Sequence, residues 1–216
     1  MQIPSLDYDE TFSPITHFES LRLLLVLAAL EDWEVHQLDV KSVFLNGVLN
    51  EEIYMEQPQG FITTEKETQV CHLKKAIYSL KQASCTWNSN IHAALTELSF
   101  KWTVAGAGVY VMHQWEGDGP LCIILYVNDI TILGASLEVV KELKAILAQC
   151  YEISDLGEIQ SYLGIWITRD QQNKYLTIHQ SGYIKDVLEH FGMADANPHN
   201  TPLPAGVNLH LVKYNS

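Results

Sequence analysis

Leu121-Cys122-Ile123-Ile124-Leu125-Tyr126-Val127-Asn128-Asp129-Ile130-Thr131-Ile132-Leu133-Gly134 is the stretch whose reading decides the fold. An apolar run from Leu121 to Val127 meets two small polar residues, and a second apolar run follows, closed by Gly134. This pattern predicts a buried β-hairpin with Asn128-Asp129 at its turn, because both residue types tolerate the left-handed backbone of a tight turn. Two readings of Asp129 stay open on this stretch alone. One is turn chemistry. The other is a carboxylate held on a rigid base, placed to bind a hard cation such as Mg²⁺.

Working outward, His36-Gln37-Leu38-Asp39-Val40-Lys41-Ser42-Val43-Phe44-Leu45-Asn46-Gly47 again sets one Asp among apolar residues near the end of a strand-like run. Asp39 and Asp129 meet only if the fold brings them together. Two such carboxylates with a third group beside them suit two-metal phosphoryl transfer, in which one ion activates the attacking oxygen and the other steadies the leaving oxygen.

Composition sets the frame. The 216 residues suit one domain or slightly more. With 47% hydrophobic and 18% charged residues, the chain reads as folded rather than disordered. No apolar run approaches the roughly 20 residues needed to cross a bilayer, so no membrane partner is expected. Cys71, Cys85, Cys122 and Cys150 form no C-x-x-C pair, and they read as free thiols, with Cys122 and Cys150 in apolar runs. The histidines show no metal-ligand spacing. The net charge of −13 and pI near 5.0 argue against a broad basic face for gripping phosphate. Lys74, Lys75 and Lys81 are the one basic cluster.

Periodicity places helices over Thr11–Leu30, Leu80–Leu98, Leu137–Cys150 (Ser136 as its N-cap) and Gln180–Phe191, the last ended by Gly192. Strands are expected over Trp33–Phe44, within Glu51–Phe61, over Val70–Leu73 and over Phe100–His113. Thr63–Thr68, Gly117–Pro120 and Asn197–Pro204 read as loop, turn and linker.

A resemblance sharpens this reading. Val35–Lys41 followed by Glu51–Phe61 ("EEIYMEQPQGF"), Val70–Ala83 ("VCHLKKAIYSLKQA"), Leu125–Gly134 ("LYVNDITILG"), Ser154–Ile167 ("SDLGEIQSYLGIWI"), Leu176–Met193 and Thr201–Pro204 occur in the order found in one family. The chain resembles the reverse transcriptase of copia-type LTR retrotransposons, from about Tyr8 to Leu203. The resemblance implies an α+β polymerase palm: an antiparallel sheet with helices on one face, partial fingers and the start of a thumb. It implies palm and partial fingers over 1–175, and thumb and linker over 176–216 leading toward an RNase H domain. It also implies a basic segment ahead of residue 1, so the chain reads as truncated. Asp39 and Asp129 become catalytic metal ligands, with Asn128 at a degenerate third position. Val40, Lys41, Phe44 and Gln82 become nucleotide-binding, Phe44 as the wall that excludes a ribose 2′-hydroxyl. Tyr162–Trp166 becomes the turn supporting the primer end. Expected cofactors and partners are Mg²⁺ or Mn²⁺, a template–primer of RNA or DNA, deoxynucleotides, and RNase H and integrase segments of a polyprotein. The expected setting is a cytoplasmic virus-like particle.

Three departures from the family pattern bear on activity. The motif Tyr-Val-Asp-Asp is here Tyr126-Val127-Asn128-Asp129, Ser79 stands where the family has Gly, and Ser84-Cys85 replaces a Pro-Arg pair. Asn offers one neutral carbonyl oxygen where a bridging carboxylate is needed. Polymerase activity is therefore expected to be impaired, with a catalytically inactive remnant or domesticated binding module as the alternative. A nuclease built on Asp39 and Asp129 lacks a third acidic ligand and any motif of its own.

Overall fold

The structure, a computed structural model, describes residues 2–3, 5–62, 66–103, 106–113, 115 and 119–201. The expected loop at Thr63–Thr68, the turn at Gly117–Pro120 and the linker and motif ending at Pro204 fall wholly or partly outside them.

In chain order the elements are α1 (Phe18–Glu31), β1 (Glu34–Val40), a 3-10 turn (Val43–Asn46), β2 (Val48–Glu56), β3 (Val70–Lys75), α2 (Ala83–Glu97), β4 (Lys101–Trp102) and β5 (Val109–Met112). They continue with β6 (Leu121–Tyr126), β7 (Asp129–Gly134), α3 (Leu137–Cys150), β8 (Ile153–Glu158), β9 (Ser161–Tyr162), β10 (Ile165–Asp170), β11 (Tyr175–His179) and α4 (Ser181–His190). The class is α+β, with antiparallel pairing throughout. Six strands form one sheet in the order β4-β5-β6-β7-β1-β8, β9 to β11 form a three-stranded sheet, and β2 and β3 form a separate ribbon.

The expectation of helices on one face is corrected. Leu121, Ile123, Leu125, Ile130, Ile132, Leu38 and Val40 point into a core closed by α2 and α3. The alternating residues Cys122, Ile124, Leu133 and Val35 point the other way, into a core closed by α1 and by Ile159, Tyr162 and Ile167 of the smaller sheet's side. Both faces of the central sheet are covered. That explains why β6 is an unbroken apolar run rather than an alternating one. Full burial of one Leu or Ile stabilises by about 1.5–3 kcal/mol, and Ile123 and Ile132, register partners on neighbouring strands, are both fully buried.

Local signals account for the element ends. α3 begins where the Ser136 hydroxyl accepts the Val139 N–H at 3.4 Å. α1 begins seven residues after the expected Thr11, because Thr11–His17 is irregular and its cap, His17, is extended. Phe100–His113 splits into two short strands joined through Gly106 and Gly108. Gly108 has φ +71, and a Cβ there would collide with the Thr16 hydroxyl oxygen and the Leu125 carbonyl. Cys122 is buried, its thiol pushed up to about 11 by desolvation, whereas Cys150 is exposed at the end of α3; all four cysteines are free.

Candidate functional site

The hairpin turn lies one residue earlier than expected. Tyr126 and Asp129 are register partners, so Val127 and Asn128 form the turn and Asp129 is the first residue of β7. Val127 takes the left-handed φ of +54, an uncommon conformation for a β-branched residue. It is held there by α2, whose Trp87 indole N–H donates to the Val127 carbonyl at 2.7 Å. On the other side the Asn128 carbonyl accepts the Val40 N–H at 2.9 Å.

This pairing brings the expected carboxylates together. Asp39 and Asp129 are register partners across β1 and β7, and both are half-buried. The Asn128 amide donates to Asp39 Oδ1, and the Gln37 amide donates to Asp129 Oδ1 at 3.3 Å. Burial pushes the Asp129 carboxyl above its ordinary value; the Gln37 hydrogen bond opposes this, and the neighbouring Asp39 charge adds a lesser upward push.

Val40, Lys41, Phe44 and Gln82 are placed less uniformly. Val40 is buried and its N–H is committed to Asn128. The exposed Lys41 ammonium lies 3.3 Å from Glu152. Phe44 meets Tyr78 edge-on at 4.7 Å and, with Trp87 and Val127, lines a recess of about 210 Å³ beside the turn. Gln82 lies elsewhere. It is 2% exposed, and its amide accepts from Gln2 and donates to the Asp7 carbonyl, each at 2.9 Å.

Two residues beside the turn escaped sequence reading, and a third was read only for another role. Gln37 is two residues before Asp39, and strand alternation puts both on one face. Trp87 anchors the turn, a link no spacing announces. Tyr162, expected only as part of a primer-supporting turn, meets Tyr126 edge-on at 6.3 Å and is buried, its hydroxyl without a partner among the described residues. Its β9–β10 turn is Leu163-Gly164, both at positive φ, the sign pattern of a type I′ turn.

A divalent ion needs oxygen donors of sufficient negative charge. Asp39 and Asp129 supply two carboxylates, and among the described residues no third His, Cys, Asp or Glu completes a metal-binding group. Rotating the Asn128 amide by half a turn would present its oxygen instead of its N–H. The set then fits one divalent ion and lacks the bridging charge that two would need.

The fold is mixed α+β, and it sets two carboxylates, Asp39 of β1 and Asp129 of β7, opposite each other beside the turn of a buried hairpin. Comparison with known proteins makes this specific. Residues 1–205 match the family model described as reverse transcriptase (RNA-dependent DNA polymerase). The chain is 39% identical over 208 residues to the retrovirus-related Pol polyprotein from transposon TNT 1-94 of Nicotiana tabacum, covering 96% of this chain and 16% of that one. It is 34% identical over 210 residues to the corresponding polyprotein from transposon RE2 of Arabidopsis thaliana, covering 97% of this chain and 14% of that one. No solved structure matches. The chain belongs to the reverse transcriptase family, as the reverse transcriptase domain of copia-type retrotransposon Pol polyproteins.

Proposed function

We propose that this chain is a copia-type reverse transcriptase domain whose RNA-directed nucleotidyl transfer is impaired at Asn128. The observation that carries this reading is the Asn128 amide donating to Asp39. A hydrogen-bond donor occupies the place where the family motif puts a metal-binding carboxylate, and it takes up one oxygen of a carboxylate that remains. In this reading the six-stranded sheet with α1 to α3 serves as palm, the β2–β3 ribbon as part of the fingers, and the segment from residue 176, including α4, as the start of a thumb. Asp39, Asp129 and the amide oxygen of Asn128 would hold Mg²⁺ or Mn²⁺, which when bound supplies Lewis-acid activation of oxygen. Phe44 walls the recess beside the turn, where its ring limits room at a sugar 2′ position. The partners are template–primer and deoxynucleotides, within a larger polyprotein that carries RNase H and integrase segments.

Loss of one group that stabilises the transition state costs about 10²–10³-fold in rate. Primer extension on an RNA template with Mg²⁺ or Mn²⁺, comparing the chain with Asn128→Asp, tests the proposal. Extension should rise at least about 10²-fold in Asn128→Asp. Equal extension by both chains would show that Asn128 does not limit the site. Failure of both, with template still bound, would favour an inactive binding module.

A further inference from the structure

We infer that Tyr162 and Thr131 are positioning residues for Asp129, their hydroxyls forming a polar floor that holds its carboxylate toward Asp39. This rests on the reverse-transcriptase reading of the Asp39–Asp129 edge and deepens it.

Strand register lays out the floor. Directly paired residues of an antiparallel sheet place their side chains on one face, and every second residue along a strand joins them. One face therefore carries three rows across β6, β7 and β1. The first is Tyr126, Asp129 and Asp39, the second Ile124, Thr131 and Gln37, the third Cys122, Leu133 and Val35. Ile124 and the third row belong to the core on the α1 side, and Tyr162 packs in that same core. Its ring meets Tyr126 edge-on at 6.3 Å. Gln37, Asp129, Thr131 and Tyr162 thus gather at one end of an otherwise apolar layer.

Two of these four are unengaged. The Thr131 and Tyr162 hydroxyls are buried, and neither has a hydrogen-bond partner among the described residues. Burial first, then the Asp129 and Tyr126 charges, raise the Tyr162 pKa above its ordinary 10.0, so its hydroxyl is a donor. A buried donor without an acceptor is unfavourable, and valine would give nearly the shape of Thr131 without one. The charged acceptors of this face are its two carboxylates. Asp129 is the nearer one, two residues from Thr131 on β7 and paired with Tyr126, against which Tyr162 packs. Its Oδ1 accepts from Gln37 at 3.3 Å, a long contact. Donation from the two hydroxyls, directly or through one water, takes up the inward lone pairs and leaves the outward ones for an ion shared with Asp39. No cationic side chain pairs with Asp129 among the described residues, so its orientation falls to these neutral donors. Groups that orient a metal ligand from behind typically account for about 10–100-fold in metal affinity.

The test measures Mn²⁺ affinity of the full chain, and of Asn128→Asp, from the free-ion signal in electron paramagnetic resonance. Asp39→Asn locates the ion, and should weaken its binding most. Tyr162→Phe and Thr131→Val, each removing one hydroxyl, should weaken Mn²⁺ about tenfold or more. Thr131→Ser keeps the hydroxyl and should bind as the parent does. In chelator the melting temperatures of Tyr162→Phe and Thr131→Val should stay level or rise, because each loses a buried polar group. A purely structural role would lower them and spare the affinity. Affinities of both variants within twofold of the parent overturn the inference. So does an equal loss in Thr131→Ser, Mn²⁺ binding that survives Asp39→Asn, or no Mn²⁺ binding by either the chain or Asn128→Asp. Weaker Mn²⁺ binding in both variants without primer extension by Asn128→Asp would leave the floor standing and remove the polymerase reading. Extension by Asn128→Asp with unaltered affinities would do the reverse.

Discussion

The Asn128 side-chain amide donates to the Asp39 carboxylate across the β1–β7 edge. A hydrogen bond to a charged group contributes about 1.5–3 kcal/mol, so Asn128 stabilises the metal-free fold. Asn128→Asp should remove that bond and add a third carboxylate beside Asp39 and Asp129. In a chelator the melting temperature should fall by roughly 4–8 °C, the shift for about 2 kcal/mol in a chain of this length. Millimolar Mg²⁺ or Mn²⁺ should restore it by binding only the folded state. Differential scanning fluorimetry reads both arms, and an unchanged melting temperature in chelator would show that the amide contact contributes nothing.

Asp129 makes the complementary case. Burial, then the Asp39 charge, hold its folded-state pKa above the ordinary 3.8. A carboxyl with a raised folded pKa stabilises the fold in its protonated form, fully below the unfolded value, and loses that contribution as pH rises through the folded value. Asp129→Asn mimics the protonated form. It should raise the melting temperature at pH 7, and the gain should shrink on acidification and vanish below 3.8. A gain that persists at pH 3 would place its origin in the turn rather than in the charge.

Ser79 occupies φ +79, and Val127 occupies φ +54. An L-residue in the left-handed region costs about 1–2 kcal/mol, against roughly 0.4–1 kcal/mol of unfolded-chain entropy that glycine adds. Ser79→Gly should therefore stabilise by about 0.5 kcal/mol, seen as a higher urea midpoint with unchanged m-value. The strain at Ser79 lies in the turn at 77–81 that leads into α2. A lower midpoint would show that the serine side chain stabilises the turn.

Legibility followed the range of the interactions. α3 was readable to its ends, because Ser136 caps it and Val140, Leu143 and Leu147 repeat on one face, all buried. The facing of Asp39 and Asp129 followed from motif order and the hairpin. The turn position did not, because Asn128-Asp129 has better turn chemistry than Val127-Asn128, and the Trp87 bond that holds Val127 comes from another element. The burial of Gln82 escaped for the same reason: its partners Gln2 and Asp7 are some 75–80 residues away in sequence. The covering of both sheet faces was written in the unbroken run Leu121–Leu125, which an alternating one-faced strand would not show.

Behind the site, Lys144 joins three elements. Its ammonium, on α3, donates to His36 Nδ1 of β1 at 2.8 Å and to Asp155 of β8 at 2.7 Å. His36 Nδ1 must then carry a lone pair, which makes the ring neutral with its proton on Nε2, and the 3.7 Å approach to Glu34 is not an ion pair in that state. Burial first, and the Lys144 charge second, hold the His36 pKa below 6.5, against the opposing charges of Glu34, Asp155 and Glu158. For Asp155, burial raises the pKa, but the Lys144 hydrogen bond, the Gly157 N–H and the neighbouring positive charge lower it overall below 3.8. Both depressed values mean proton uptake on unfolding, so stability falls with pH in two windows: from 6.5 down through the folded His36 value, and from 3.8 down through that of Asp155. Lys144→Met removes the second cause at His36 and keeps the first. NMR titration of the His36 ring should then give a pKa above the parent's and still below 6.5, and the loss of thermal stability between pH 7 and pH 5 should become shallower. An unmoved His36 pKa would mean that the ammonium does not sit on the ring.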